Sequence, residues 1–164
     1  MFHVNSFPPL IDKRSQILIL GSMPGVESIQ RQQYYAHSRN QFWKIIYAIF
    51  SVELEEGYER KLEFLKKKRI ALWDVIASCT REGSLDTNIK DETANDFSNL
   101  FQEYTRLKGV FFNGAKAYET YKKLVGMRSE SKIDFVKLSS TSPANTKKFA
   151  EKFEDWKVIR SYLG

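Results

Sequence analysis

The chain has 164 residues, of which 42% are hydrophobic and 28% charged, and this composition favours one globular domain over a disordered or membrane-spanning chain. A single cysteine, Cys79, excludes an internal disulfide and a cysteine-cluster metal site, and it suits a reducing cytoplasm. The net charge of +6 favours a polyanionic partner such as DNA or RNA, because cations set against phosphates release condensed counterions. We therefore treat residues 1–164 as one domain, and Met1–Asn5 carries no pattern of a secretion signal.

The first half of the chain predicts two strands and two helices. Ile17–Leu20 is a short, continuous apolar run, which is typical of a buried parallel strand. Apolar residues at helical spacing predict an amphipathic helix over Asn40–Phe50, and a second helix follows over Tyr58–Lys68. The next apolar run, Ile70–Ile76, predicts the second strand.

The second half repeats this alternation between polar loops. In chain order we expect a long polar loop over Gly83–Asp91, a helix over Phe97–Leu107, a strand over Gly109–Asn113, a helix over Gly114–Val125, a strand over Ile133–Leu138, a loop over Ser139–Thr146 and a C-terminal helical segment. Four strands separated by helices predict an α/β fold, a three-layer α/β/α sandwich with a four-stranded, mainly parallel sheet. Ligands of such sheets bind beyond the carboxyl ends of the strands.

The segment directly after the first predicted strand is Gly21-Ser22-Met23-Pro24-Gly25. Two glycines around a proline make a tight turn whose backbone can approach a ligand closely. A purely structural turn, or a phosphate site in a nucleotide-binding enzyme, would look similar. The segment lacks the lysine of a P-loop and the spacing of a dinucleotide fingerprint, which argues against the nucleotide-binding alternative.

Two further polar segments stand at predicted element ends. Tyr34-Tyr35-Ala36-His37-Ser38-Arg39-Asn40-Gln41-Phe42-Trp43 leads into the first helix, where Asn40 could simply be a helix cap. Ser139-Ser140-Thr141-Ser142-Pro143-Ala144-Asn145 follows the last predicted strand. Its hydroxyls and amides could bind a phosphate, although an ordinary serine-rich turn would have the same composition.

Taken together, the three segments resemble the uracil-DNA glycosylase superfamily. The stretch from Gly21 to Phe50 is similar to the mismatch-specific uracil-DNA glycosylases. The combination of Gly-Ser-Met-Pro-Gly with Ser-Thr-Ser-Pro-Ala-Asn is closest to the hypoxanthine-DNA, or DNA-deoxyinosine, glycosylase branch. The resemblance extends to Leu72-Trp73-Asp74-Val75 and to Gly83-Ser84-Leu85-Asp86.

The resemblance implies a monofunctional glycosylase of base-excision repair. It would flip a deaminated base out of double- or single-stranded DNA and hydrolyse the N-glycosidic bond, with hypoxanthine favoured and uracil or xanthine left open. This hydrolysis needs neither a metal nor an organic cofactor, and we expect a cytoplasmic monomer. A catalytically inactive, lesion-binding protein on the same fold remains the alternative.

The resemblance also assigns roles to residues around the base. Asn40 would orient the attacking water, because Met23 stands where many relatives carry the Asp or Asn that does so and offers only a weakly accepting sulfur. Tyr35, or else Tyr34, would stack on the flipped base. Asp74 would accept a hydrogen bond from the N1–H of hypoxanthine, unless it merely caps the following helix or turn. The remaining residues expected around the base are Asn113, Gly21, Ser22 and Met23.

A second set is expected to bind the DNA. His37 could bind a phosphate or assist the leaving base, although a plain surface histidine would look the same. Ala144 stands where many relatives carry a leucine wedge, and Ser140 where many carry His or Asn. The full set of DNA-contacting candidates is Pro24, Gly25, His37, Arg39, Lys116, Ser140, Thr141, Ser142, Ala144 and Asn145.

Overall fold

The computed structural model of the chain describes residues 2–127 and 132–164. Its strands are β1 (Phe2–Asn5), β2 (Ile17–Gly21), β3 (Ile70–Asp74), β4 (Ile76–Arg81), β5 (Lys90–Ala94), β6 (Gly109–Asn113) and β7 (Asp134–Leu138). Its α-helices are α1 (Val26–Arg31), α2 (Phe42–Ile49), α3 (Tyr58–Lys67), α4 (Phe97–Glu103), α5 (Ala115–Leu124) and α6 (Phe149–Trp156). Two 3-10 helices span Asp86–Asn88 and Lys157–Tyr162.

The central sheet has four strands in the order β3-β2-β6-β7, and every neighbouring pair is parallel. Ile17 lies opposite Ile70 on one side and Gly109 on the other, so the strands begin at one level. Their carboxyl ends consequently meet at one edge, where Gly21 pairs with Asp74.

Helices cover both faces of this sheet because successive side chains of a strand point to opposite sides. Ile17 and Ile19 pack into a core formed with α2, α3 and α6. Leu18 and Leu20 pack into a second core formed with α4 and α5. The predicted three-layer α/β/α architecture with a four-stranded parallel sheet is therefore confirmed.

The predicted strand over Ile70–Ile76 is wrong in extent, because it covers parts of two strands in two sheets. β3 ends at Asp74, and β4 begins at Ile76 in a second, antiparallel sheet of order β1-β4-β5. Val75 N donates to Gly21 O at 2.8 Å, which turns the chain alongside the end of β2. Both Val75 and Ile76 are buried, so the apolar run gives no sign of the change.

Other boundaries also differ from expectation. The predicted polar loop over Gly83–Asp91 contains a 3-10 helix and the start of β5, a strand whose sequence Lys-Asp-Glu-Thr-Ala carries no apolar signal. The helix predicted from Asn40 begins at Phe42, and the one predicted to Leu107 ends at Glu103. Neither β1 nor α1 was expected. Within the described residues no helix is both long enough and apolar enough to span a bilayer.

Candidate active site

A cavity of about 700 Å³ lies at the carboxyl ends of the central strands. Every residue that the sequence nominated for the site lines this cavity, including both predicted sets. They come from the ends of β2, β3 and β6, from the turn after β2, from the segment before α2, from the first turn of α5 and from the loop after β7. The members are Gly21, Ser22, Met23, Pro24, Gly25, Tyr34, Tyr35, His37, Arg39, Asn40, Asp74, Asn113, Lys116, Ser140, Thr141, Ser142, Ala144 and Asn145.

The carboxyl group of Asp74 lies against Gly21, the last residue of β2, in this cavity. A Cβ atom built on Gly21 would lie 2.7 Å from Asp74 Oδ1 and 3.1 Å from the Tyr35 hydroxyl, so only glycine fits there. Asp74 is 4% exposed, and its Oδ2 is buried without a hydrogen-bond partner in the described structure. The side chain accepts no backbone N–H of the residues described, as a helix or turn cap would.

Burial raises the pKa of Asp74 to about 7, because the ionised form is poorly solvated there. The nearby positive charge of Arg81 opposes this rise, and the negative charge of Asp86 adds to it. The carboxyl group therefore changes protonation state close to neutral pH.

Arg81, which the sequence analysis did not single out, is a buried cation behind the Gly21–Gly25 turn. It is 2% exposed, and its Nη2 donates to the carbonyl oxygen of Pro24. Its Nε and Nη1 atoms are buried with no partner among the described atoms. A lone arginine in an alternating strand gives no sequence signal, since only the tertiary fold places it behind the turn.

The two tyrosines occupy different environments. Tyr34 is buried, donates its hydroxyl to Pro8 O at 2.9 Å and meets the ring of Phe7 edge-on at 5.3 Å. Tyr35 has a left-handed backbone (φ 55°) and is half-buried, and one face of its ring stacks on Phe42 with centroids 4.0 Å apart. Burial, followed by the charge of Asp74, raises the pKa of the Tyr35 hydroxyl, so this phenol is neutral. Tyr35 is thus the better placed stacking candidate.

The side chain of Asn40 is hydrogen-bonded to the start of α2 and also lines the cavity. Its Oδ1 accepts a hydrogen bond from Phe42 N, the first residue of α2, at 2.9 Å, although the N-cap position itself is Gln41. The same Oδ1 of Asn40 accepts a second hydrogen bond from Thr141 Oγ1 at 2.8 Å. Asn113 holds the same threonine, with Nδ2 donating to Thr141 Oγ1 and Oδ1 accepting from Thr141 N, both at 2.9 Å.

Met23 lies in an apolar cluster with Ile76, Cys79 and Ile89. It is buried, although part of it reaches the cavity. Its environment is that of a packing residue.

The DNA-contacting candidates differ in whether their polar groups already have a partner within the protein. Arg39 is exposed, and its backbone N–H donates to His37 Nδ1 at 3.1 Å. Lys116 forms an ion pair with Glu92, with Nζ and Oε1 2.9 Å apart, so its charge is largely compensated. The hydrogen bond from Lys116 lowers the pKa of Glu92.

The loop after β7 is held by its own hydrogen bonds and by one buried lysine. Ser142 N donates to Ser140 Oγ at 3.2 Å, Ala144 N donates to Ser142 Oγ at 3.2 Å, and Asn145 Nδ2 donates to Ser140 O at 2.9 Å. Lys152 Nζ donates to Asn145 O at 2.9 Å. The loop therefore presents a fixed backbone at the cavity.

One side of the cavity comes from residues 84–87, to which the sequence analysis gave no role. Ser22 Oγ donates to Asp86 Oδ1 at 2.7 Å, and Val26 N donates to Ser84 Oγ at 2.8 Å. Leu85 lines the cavity and is nevertheless 54% exposed. The sequence did carry a signal for this segment, because Gly83-Ser84-Leu85-Asp86 is part of the family resemblance. Its place beside the cavity, however, depends on the long-range hydrogen bonds to Ser22 and Val26.

No group of three His, Cys, Asp or Glu side chains in residues 2–127 and 132–164 is arranged to hold a metal ion.

Comparison with known proteins agrees with this geometry. The Uracil DNA glycosylase superfamily matches residues 8–164 of the chain. A hypoxanthine DNA glycosylase of Methanosarcina acetivorans is 42% identical over 154 residues, covering 93% of this chain and 95% of the relative. A hypoxanthine DNA glycosylase of Methanosarcina barkeri is 44% identical over 151 residues, covering 92% and 93%.

A solution NMR structure of a candidate uracil DNA glycosylase from Methanosarcina acetivorans has the same fold. It superposes with a TM-score of 0.83 at 38% identity and covers 96% of each chain. These matches confirm the resemblance that the motifs indicated. The chain therefore belongs to the uracil DNA glycosylase superfamily, as an enzyme of the DNA glycosylase class.

Proposed function

We propose that this enzyme hydrolyses the N-glycosidic bond of hypoxanthine in DNA, as a monofunctional glycosylase of base-excision repair. The observation that carries the substrate assignment is the buried Asp74 carboxyl group, whose Oδ2 has no partner among the described residues. The names of two relatives that cover over nine-tenths of the chain support the same base.

The carboxyl group of Asp74 discriminates between bases by what it can accept. Hypoxanthine carries a proton on N1, whereas adenine presents a lone pair there. When Asp74 is ionised, a flipped hypoxanthine would satisfy its unpaired oxygen, and adenine would leave two acceptors facing each other in a buried site. Uracil and xanthine also carry ring N–H groups, so they are the competing substrates.

Tyr35 and Asn40 complete the proposed site. The ring of Tyr35 that rests on Phe42 would offer its other face to the flipped base, and such stacking is worth roughly 1–3 kcal/mol per base. Asn40 is the proposed catalytic residue, since it combines a fixed side chain with a place in the cavity wall. A fixed polar group stabilises the transition state without reorganisation.

The outer edge of the cavity would face the DNA. The exposed side chain of Arg39 and the hydroxyls of the partly exposed Ser140 and Ser142 suit phosphates, whereas Thr141, a DNA-contacting candidate of the sequence, is completely buried. Leu85 is an exposed apolar side chain on the same edge, and apolar side chains fill gaps left by unstacked bases. Ala144 is too small to do so. We further propose that the enzyme acts as a monomer in the cytoplasm.

The experiment that tests this function uses labelled oligonucleotides with one hypoxanthine, uracil, xanthine or adenine, as single strands and as duplexes. Alkali cleaves the abasic site that excision leaves. We expect the highest single-turnover rate for hypoxanthine, none for adenine, and a loss in Asp74→Ala. A protein that binds hypoxanthine DNA but leaves every strand intact after alkali would be the inactive alternative. A higher rate for uracil than for hypoxanthine would identify uracil as the substrate instead.

A further inference from the structure

Thr141 connects the segment before α2 to the end of β6. It is completely buried, although it belongs to the loop after β7. Its backbone oxygen accepts a hydrogen bond from Gln41 N at 3.1 Å, and its hydroxyl and backbone N–H bond to Asn40 and Asn113 as described above. One side chain therefore joins the two asparagines that line the cavity.

Two backbone N–H groups determine the direction of every hydrogen bond in this network. Phe42 N can only donate, so the atom of Asn40 beside it must be the carbonyl oxygen. Thr141 N can likewise only donate, so it faces Asn113 Oδ1, and Asn113 Nδ2 must then face the Thr141 hydroxyl. Because that hydroxyl oxygen accepts from Asn113, its own proton points to Asn40 Oδ1.

This leaves Asn40 with only one group for a substrate. Both lone pairs of its Oδ1 are occupied, by Phe42 N–H and by the Thr141 hydroxyl. Its Nδ2 has no partner in the described part of the chain, and the residue lines the cavity. We infer that Asn40 acts in the reaction as a hydrogen-bond donor through Nδ2, and that Thr141 is the positioning residue that holds it in this orientation.

The inference rests on the proposed glycosylase function and differs from the acceptor role in which the side chain would take a proton of the attacking water. A donor has its positive end toward the substrate. It therefore favours the negative charge that develops on the departing base, and not the positive charge on the sugar. Asn113 acts on Asn40 through Thr141. Asn113 therefore also has a positioning role, in addition to any contact with the base.

The Asn40→Asp variant distinguishes a donor role of this side chain from an acceptor role. The aspartate would keep an oxygen for Phe42 N and for Thr141, so the hydrogen bond to the start of α2 is retained, but it has no N–H when ionised. A donor role predicts a single-turnover loss on the order of 10²–10³-fold at about pH 8, as for Asn40→Ala. An Asn40→Asp enzyme that matches or exceeds the parental rate would overturn the inference.

The positioning role is tested at Thr141, with DNA affinity and thermal unfolding recorded alongside. Thr141→Val removes the hydroxyl at nearly constant volume, and we expect about a 10-fold or larger fall in single-turnover rate, with little change in affinity for abasic duplex. Thr141→Ser keeps the hydroxyl and should restore the rate. A parental rate in Thr141→Val refutes the role.

If Thr141→Val does not fold, Asn113→Asp tests the same connection, since its oxygen would take the threonine proton away from Asn40. A parental rate would again refute the positioning role, whereas a fall like that expected for Thr141→Val supports it. A parent enzyme that excises none of the bases fails the proposed function itself. If the parent enzyme and the Asn40→Asp variant are both active, the donor role alone is wrong and the proposed glycosylase function stands.

Discussion

Replacing the buried Asp74 by asparagine should stabilise the protein at alkaline pH. Burial raises the pKa of this carboxyl from its ordinary value of 3.8 to about 7. A shift of that size corresponds to about 4 kcal/mol of unfolding free energy lost when the group is ionised. Asparagine has nearly the same shape and no charge, so Asp74→Asn should recover up to about 4 kcal/mol above pH 7.

The sign of the pH dependence follows from the protons bound in each state. Between about pH 4 and pH 7 the folded protein holds a proton on Asp74 that the unfolded chain has released, so this group's contribution to stability falls as the pH rises. Above about pH 7 both states are ionised and the contribution is constant. The advantage of Asp74→Asn over the parent should thus be near zero at about pH 4 and largest at about pH 8.

Urea unfolding at about pH 5 and about pH 8 measures this difference directly. Glu119→Gln makes the same carboxylate-to-amide change at an exposed position on α5, and should show no pH-dependent difference beyond about 0.5 kcal/mol. An Asp74→Asn advantage that is equal at both pH values, or a variant less stable than the parent at pH 8, would refute the reasoning. In the second case the lost attraction between Asp74 and Arg81 would exceed the burial penalty.

Three further comparisons test the catalytic and DNA-facing residues. Asn40→Ala should lower the single-turnover rate on the order of 10²–10³-fold, whereas Met23→Leu should change it little. Equal losses in the two variants would contradict this, and thermal stability must be measured because Asn40 is hydrogen-bonded to the first residue of α2. Arg39→Ala should reduce the slope of log affinity against log salt by about 1, and an unchanged slope would remove it from the phosphate contacts. Leu85→Ala should slow excision from duplex by about 10-fold more than from single strands. Leu54→Ala, at a site 44% exposed and away from the cavity, is its control, and equal losses on both substrates would exclude gap filling.

The sequence alone predicted the architecture of the central sheet and most of the residues that line the cavity. Ile17–Leu20 and Gly109–Asn113 are apolar runs that stay in one sheet, so periodicity is sufficient to predict them. The strand-end residues of the cavity were predictable because a parallel sheet brings the ends of its strands to one edge. The residues before α2, such as Tyr35 and Asn40, were predicted from the family resemblance of their motif.

Only the tertiary structure decided where the chain leaves that sheet and what each polar group contacts. The apolar run through Val75 is buried on both sides of the boundary, so its composition cannot reveal that β4 joins another sheet. The unpaired Asp74, the buried Arg81 and the saturated oxygen of Asn40 all depend on partners distant along the chain. Thr141 lies 101 residues from Asn40 in the sequence, and it is this hydrogen bond that leaves Asn40 to act as a donor. Such contacts depend on distances in the folded chain, which residue spacing along the sequence does not encode.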